Sequence, residues 1–367
     1  MTLAGCAGGK SVANGRHMQP LSQRMLAELK ANDMEKESPI LVRIFKEEAE
    51  LEVWKQDNGG RFALLRTYPI CRWSGELGPK LKTGDRQAPE GFYTITPALM
   101  NPNSSQYLAI NTGFPNAYDR ANGRTGAFLM IHGGCSSAGC YAMTDEQIAE
   151  IYALARESFF GGQKSFQLQA YPFRMSPLNM ARHRNSPHMA FWKMIKQGYD
   201  HFEVTHLEPQ IDVCEKRYIF DAEATDSFSP ADRCPAYNVP ENIATAVGKK
   251  QRREDIEITE LIIRGIPNVP ATTGVDGGMN PTFLAKNNRN EGTSEEYKTT
   301  IQGLISYFGT YSLSGNDLVF HVEASSFPNW NGTEQKRAIT VSGDELKLHN
   351  PAASTGGTAE LVWKRAK

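Results

Sequence analysis

Ile131-His-Gly-Gly-Cys-Ser-Ser-Ala-Gly-Cys-Tyr-Ala-Met143 joins an apolar run, Ala127-Phe-Leu-Met-Ile131, to a helix start, Thr144-Asp-Glu-Gln147. The stretch reads as strand, then a loop of small residues, then a capped helix. Thr144 with Gln147 at the third helical position forms a capping box. Ile148, Ile151, Tyr152 and Ala155 then fall on one helical face. The hydrophobic period therefore changes from two to 3.6 across the stretch, which is how an α+β domain announces itself.

Before the stretch the period is two. Ile40–Phe45, Leu51–Trp54, Phe62–Tyr68, Gly91–Ile95, Tyr107–Ile110 and Phe128–Ile131 all read as strands. Asn58-Gly59 is a hairpin turn between the second and the third. Short strands with this punctuation predict a barrel or a sandwich. After the stretch, Phe166–Ala170 reads as a strand, and Ser176-Pro177 opens a helix. A helix over Ala190–Ile195 is expected to stop at Gly198, with Phe202–Thr205 a strand beyond it. Pro240–Arg264 reads as a long helix ending at Gly265. Its basic run, Lys249-Lys-Gln-Arg-Arg253, reads as a solvated face rather than a polyanion site. Five more strand candidates follow: Gly309–Leu313, Asp317–Val322, Arg337–Val341, Leu346–His349 and Glu360–Trp363. The fold class is thus α+β, with a mainly β catalytic domain of barrel or sandwich type, packed helices and a C-terminal antiparallel β-meander.

The expected organisation is a leader or linker over 1–38, a catalytic domain over 39–210, a helical extension over 211–292 and a meander over 293–367. The chain has 367 residues, with 40 Lys+Arg against 41 Asp+Glu, and that balance gives no argument for nucleic acid. It holds no apolar run long enough to span a bilayer. Leu3-Ala-Gly-Cys6 resembles a bacterial lipobox whose upstream part is missing, so a lipid on Cys6 is the one membrane attachment expected. Setting aside Cys6 and Cys140, four cysteines remain: Cys71, Cys135, Cys214 and Cys234. They allow two disulfides in an exported protein or four buried thiols, and the sequence does not choose between the pairings.

The chemistry of the stretch lies in His132 and Cys140. A thiolate is the attacking form of cysteine, and His132 can take the proton or hold the thiolate as an ion pair. No acidic residue stands in the motif to orient the imidazole, so a backbone carbonyl or Ser136 or Ser137 must do it. The N–H groups around Gly139, Cys140 and Tyr141 can receive an oxyanion. A zinc site built on His132, Cys135 and Cys140 lacks a fourth ligand, and a redox pair calls for the tighter C-x-x-C spacing. No metal and no cofactor is expected. A purely structural Cys/His remains the alternative.

His132-Gly133 followed by Ser137-Ala-Gly-Cys140 resembles the active-site motif of the L,D-transpeptidases with a YkuD catalytic domain. Gly139-Cys-Tyr-Ala-Met143, Leu51–Lys55, Gly84–Tyr93, Asn111–Asn116 and Asp276-Gly-Gly-Met279 resemble the YafK-type branch of Gram-negative bacteria. The resemblance covers roughly residues 38–290. It implies attack by Cys140 on a peptidoglycan stem peptide, followed by transfer to an amine, or hydrolysis that cuts a stem peptide or a murein-linked lipoprotein. It further implies His132 as base, the Gly133 carbonyl as orienter, the Gly139–Tyr141 backbone at the oxyanion, and a periplasmic or envelope location. Ser136 and Ser137 would line the substrate. Many members carry an arginine two residues after the cysteine and a histidine before Gly-Cys. Here those places hold Ala142 and Ala138, so Arg120 or Arg124 is expected to receive the substrate carboxylate. Tyr307–Tyr311, His321–Ala324 and Phe327–Glu334 resemble the C-terminal half of a bacterial lipocalin-like domain. A wall- or ligand-binding protein with an inert Cys140 is the expectation from another class.

Overall fold

The computed structural model describes residues 15–268, 273–274, 307–315, 317–325, 332–350 and 359–364. Cys6 and the Asp276–Met279 motif lie outside them. The chain divides into two units, residues 1–280 and 281–367.

In the first unit α1 (Gln23–Ala31) precedes β1 (Ile40–Phe45), β2 (Glu50–Gln56), β3 (Phe62–Pro69), β4 (Arg72–Trp73), β5 (Gly75–Glu76) and β6 (Gly91–Ile95). Next come β7 (Met100–Asn101), β8 (Ala109–Asn111), α2 (Ala117–Ala121), β9 (Met130–His132), β10 (Tyr141–Ala142) and α3 (Asp145–Phe160). They are followed by β11 (Phe166–Tyr171), α4 (Pro177–Arg182), α5 (Met189–Thr205), β12 (Ile211–Cys214) and β13 (Arg217–Phe220). The described part of the unit closes with β14 (Glu223–Ala224), β15 (Tyr237–Asn238), α6 (Glu241–Ile263) and β16 (Thr273–Gly274).

Two five-stranded sheets organise it, ordered β3-β2-β1-β11-β6 and β4-β10-β9-β8-β7. Each is antiparallel except for one parallel pair, β1 with β11 and β9 with β10. Every residue of β1 and β11 is buried, as strands covered on both faces require. One apolar cluster takes Ile44 and Leu168 from the first sheet, Ile110, Ile131 and Tyr141 from the second, and Ile148 and Ile151 from α3. No barrel closes among the described residues.

Three expectations change. Leu21, Met25 and Leu29 join this core, so the segment read as leader or linker packs as part of the unit from α1 onward. Phe202–Thr205 is not a strand but the end of α5, which runs through Gly198. A Cβ at Gly198 would run into the rings of Phe220 and Phe92. Gly198 is therefore the point of close helix packing rather than a stop. The basic run on α6 is only partly solvated: Lys250 Nζ lies 2.7 Å from Asp200 Oδ1 and 2.5 Å from Glu254 Oε1. That cluster, with Lys196, ties α6 to α5.

In the second unit β17 (Tyr307–Ser314), β18 (Asp317–Ser325), β19 (Glu334–Ser342), β20 (Glu345–Asn350) and β21 (Ala359–Lys364) form an antiparallel meander in chain order. All five strand expectations fall on it. Phe327–Asn331 of the lipocalin-like resemblance lies outside the described residues.

Candidate active site

The second sheet presents the site. Parallel pairing sets Tyr141 beside Ile131 and Ala142 beside His132. Because side chains alternate along a strand, Tyr141 and Ile131 point into the apolar core while His132 and Cys140 share the opposite face. Met130, two residues before His132, donates its N–H to Cys140 Sγ at 3.4 Å. The Phe128 carbonyl lies 3.8 Å from the same sulfur. Cys140 is the one free cysteine among the described residues, and it is half-buried.

The imidazole is fixed by its neighbour's backbone. His132 Nδ1 lies 2.7 Å from the Gly133 carbonyl, which can only accept, so Nδ1 carries the proton and Nε2 keeps its lone pair. Ser136 is exposed and makes no hydrogen bond among those described, and Ser137 is engaged elsewhere, so neither serviceable serine orients the ring. Burial holds the His132 pKa below its usual value against the opposing pull of that hydrogen bond. Burial pushes the Cys140 thiol up, opposed by the Met130 N–H and the charge of Lys80. Both shifts favour the neutral thiol and neutral imidazole at rest.

The loop over residues 133–140 is held at many points. Cys135 is disulfide-bonded to Cys71 with Cα atoms 5.2 Å apart, and Cys214 to Cys234 at 5.1 Å. Both spans suit a disulfide. Gly134 N–H reaches Asp145 Oδ1 at 2.9 Å, and Gly133 N–H reaches the Gln106 carbonyl at 3.0 Å. A Cβ at Gly133 would stand 2.9 Å from that same carbonyl, so only glycine fits. Ser137 Oγ accepts from Cys140 N–H at 3.0 Å, reaches the Cys140 carbonyl at 2.7 Å and meets Ser74 Oγ at 2.6 Å. The Cys140 N–H among the expected oxyanion donors is thus occupied by a serine hydroxyl. Gly139 holds φ at 127°, a region L side chains avoid, at the turn into Cys140.

Arg120 is exposed at the end of α2, where its guanidinium donates to the Pro115 carbonyl. Arg124 is different. It is buried, 2.9 Å from Asp119 Oδ1, and packed on the rings of Tyr118 and Phe191. Its charge is taken up inside the fold, which corrects the expectation that it awaits a substrate carboxylate. Three further residues were not singled out from the sequence. Ser74 backs Ser137. Lys80 faces the thiol electrostatically. Phe128 is 76% exposed beside it, with φ 58°. Only their placement in loops folded over Cys140 reveals them.

The class is an α+β domain that presents a free thiol and a carbonyl-oriented histidine on one face of a mixed sheet. Residues 40–160 match the YkuD family, described as the L,D-transpeptidase catalytic domain, and residues 278–366 match a lipocalin-like domain. A protein of Escherichia coli (strain K12) that bears the name "Putative L,D-transpeptidase YafK" is 44% identical over 204 residues, covering 56% of this chain and 82% of that protein. The chain belongs to the YkuD-type L,D-transpeptidases. Its C-terminal part is similar to the 4'-hydroxy-3'-methoxypropiophenone carrier protein ppsC of Aspergillus oryzae, 34% identical over 86 residues, 20% of this chain and 78% of that protein. Among solved structures, the helical cell shape determining protein Pgp2 of Campylobacter jejuni covers 94% of this chain and 100% of its own at 14% identity and a TM-score of 0.30, too low to inform the assignment.

Proposed function

We propose that this protein acts on peptidoglycan stem peptides through an acyl-enzyme on Cys140. The observation that carries the reading is the shared sheet face of Cys140 and His132, with the His132 Nδ1 proton committed to Gly133. Nε2 takes the thiol proton as Sγ attacks the scissile carbonyl carbon. The carbonyl oxygen becomes an oxyanion. It draws on the Gly139–Tyr141 backbone once the Ser137 side chain swings its oxygen away from the Cys140 N–H. Collapse breaks the C–N bond, and His132 returns the proton to the departing amine. An incoming amine then attacks the thioester and gives a cross-link, while water in its place gives a carboxypeptidase or an amidase that frees stem peptide or lipoprotein. Since burial favours both the neutral thiol and the neutral imidazole, His132 acts as a general base rather than as half of a standing ion pair.

Arg120 remains exposed and suits a substrate carboxylate. Arg72 is a second cation for that task. It pairs in register with Ala142, where many family members carry arginine, and its Nε is buried without a hydrogen-bond partner. Ser136 and Phe128 line the mouth. An envelope location and a lipid on Cys6 belong to the same reading.

Mass spectrometry of peptidoglycan fragments incubated with the protein tests it. A cross-linked dimer, a shortened stem or a released lipoprotein peptide have different masses, and Cys140→Ala should produce none of them. Product formation by Cys140→Ala at the wild-type rate would sink the proposal. A binding role without chemistry would leave every fragment unchanged with both proteins.

A further inference from the structure

A charged pair that proton transfer between Cys140 and His132 does not use, the buried Lys80 and the part-exposed Asp85, lies against the backbone that leads to the thiol. Lys80 is 3% exposed. Its Nζ donates to the Lys82 carbonyl at 3.0 Å and to Asp85 Oδ1. Asp85 is itself held by the N–H groups of Leu81, Lys82 and Gln87, at 2.9, 2.9 and 3.1 Å. Burial alone would raise the Asp85 pKa. The Lys80 ammonium and these backbone donors outweigh it and keep the carboxylate ionised.

The pair is fitted to the site. A Cβ at Gly126 would lie 2.6 Å from Lys80 Cε and 3.6 Å from Nζ, and Gly126 has φ 145°. Lys80 therefore lies against the backbone that leads directly into Phe128 and Met130, the two residues whose main chains touch Cys140 Sγ. On the other side a Cβ at Gly139 would be 4.0 Å from the Arg86 main chain, so the same segment also flanks the turn into Cys140. Its base is anchored in the core, where Glu90 Oε1 accepts from Lys46 Nζ at 2.9 Å and from Gly78 N–H at 2.7 Å, and Glu90 Oε2 from Trp192 Nε1 at 2.9 Å.

We propose that Lys80 is a positioning residue for the nucleophile: a fixed buried cation that stabilises the Cys140 thiolate, with Asp85 holding it in place and moderating its field. A cation in a dry setting acts on a neighbouring thiolate far more strongly than one in water. The charged and titratable groups on the elements packed about the thiol include His132 from β9, Lys80 and Asp85 from the covering segment with Arg86 at its edge, Arg72 from β4, Tyr141 on β10, and Asp145 at the start of α3. Of these, Lys80 is the cation whose charge bears on the sulfur. The proposal rests on the reading of Cys140 as nucleophile for its consequence in catalysis, but not for its test, which needs no substrate.

The test is the pH dependence of iodoacetamide labelling at the Cys140 peptide, read by mass spectrometry on the full chain with disulfides intact. Lys80→Met should move the profile to higher pH and lower the rate at pH 7 about tenfold, with the high-pH plateau unchanged. Lys80→Arg keeps the charge and should stay within about threefold of wild type. Asp85→Asn leaves an oxygen for Lys80 but removes the counter-charge, and should move the profile to lower pH. An unmoved profile in Lys80→Met overturns the proposal, as does movement of Lys80→Met and Asp85→Asn in the same direction. Failure of the Cys140 reading would show instead as wild-type protein that labels normally yet turns over no stem peptide.

Discussion

Replacing both Cys71 and Cys135 with alanine removes the covalent tie between the loop carrying the thiol and the strand beside it. The two cysteines are 64 residues apart in sequence. In the chain-entropy model a closed loop of that length removes about 14 cal/mol/K from the unfolded chain, or about 4 kcal/mol at room temperature. The Cys214–Cys234 bridge spans 20 residues and comes to about 3 kcal/mol by the same relation. Stability alone would separate the two bridges by only about 1 kcal/mol, but the site separates them further. Cys135 sits within the loop over 133–140, with its N–H on the Met143 carbonyl at 3.2 Å, while Cys71 N–H holds the Ala142 carbonyl at 2.9 Å. Cys71→Ala/Cys135→Ala should therefore lower both stability and the labelling rate of Cys140, whereas Cys214→Ala/Cys234→Ala should lower stability alone. Urea unfolding at fixed pH gives the first quantity and alkylation of the native protein the second. A loss below about 1 kcal/mol in the Cys71/Cys135 variant, or equal effects of the two variants on Cys140 reactivity, would refute the reasoning.

Two further outcomes follow from the same geometry. His132 must be neutral to accept the thiol proton, and burial resists its protonation; kcat/KM should therefore hold as pH falls through 7 and decline only below about 6.5, the ordinary imidazole value. An acid limb at or above that value would contradict the buried neutral imidazole. Gly133→Ala places a methyl against the Gln106 carbonyl, a backbone atom with little room to yield, and should cost about 1–3 kcal/mol in urea unfolding. It should also shift the His132–Gly133 hydrogen bond, so turnover should fall by more than the stability loss explains; unchanged turnover would show that the carbonyl does not orient the ring.

Local chemistry was legible in the sequence wherever one short segment carried it. Thr144 and Gln147 cap α3 from both sides, and Ser176 caps α4 with Pro177 in its first turn. Alternation located β1, β2, β3, β6 and β11 to within a residue or two. The failures are all non-local. Gly198 reads as a helix stop until the rings of Phe92 and Phe220, from distant strands, occupy the space its side chain would need. Arg124 reads as a spare cation until Asp119, Tyr118 and Phe191 enclose it. The disulfide pairing depends on β4 lying against β10, a contact between strands of two residues each. Lys80 and Ser74 carry no local mark at all, because their meaning comes from a loop that folds back over a site elsewhere in the chain.

The spacing of His132 and Cys140 follows from an uncommon connection. Adjacent parallel strands are ordinarily joined by a crossover of a dozen or more residues. Here residues 133–140 alone join β9 to β10, so the loop must double back over the face of its own sheet. Such a path is unfavourable unless it is fastened, and the fastenings are those already seen: the Cys71 bridge, Asp145 on Gly134, the Gln106 carbonyl on Gly133, and Ser137 on both polar groups of Cys140. Glycine at 133 removes a side chain that would block it, and glycine at 139 allows the φ of 127° at the turn into Cys140. The return brings the sulfur beside Met130, two residues along the strand from His132. A shorter loop could not double back, and a longer one would need more fastenings to hold the thiol with equal precision. The fastenings hold the loop without a substrate, which lowers what binding must spend on ordering it. Under the proposed mechanism the Ser137 hydroxyl on the Cys140 N–H must move for that donor to reach an oxyanion.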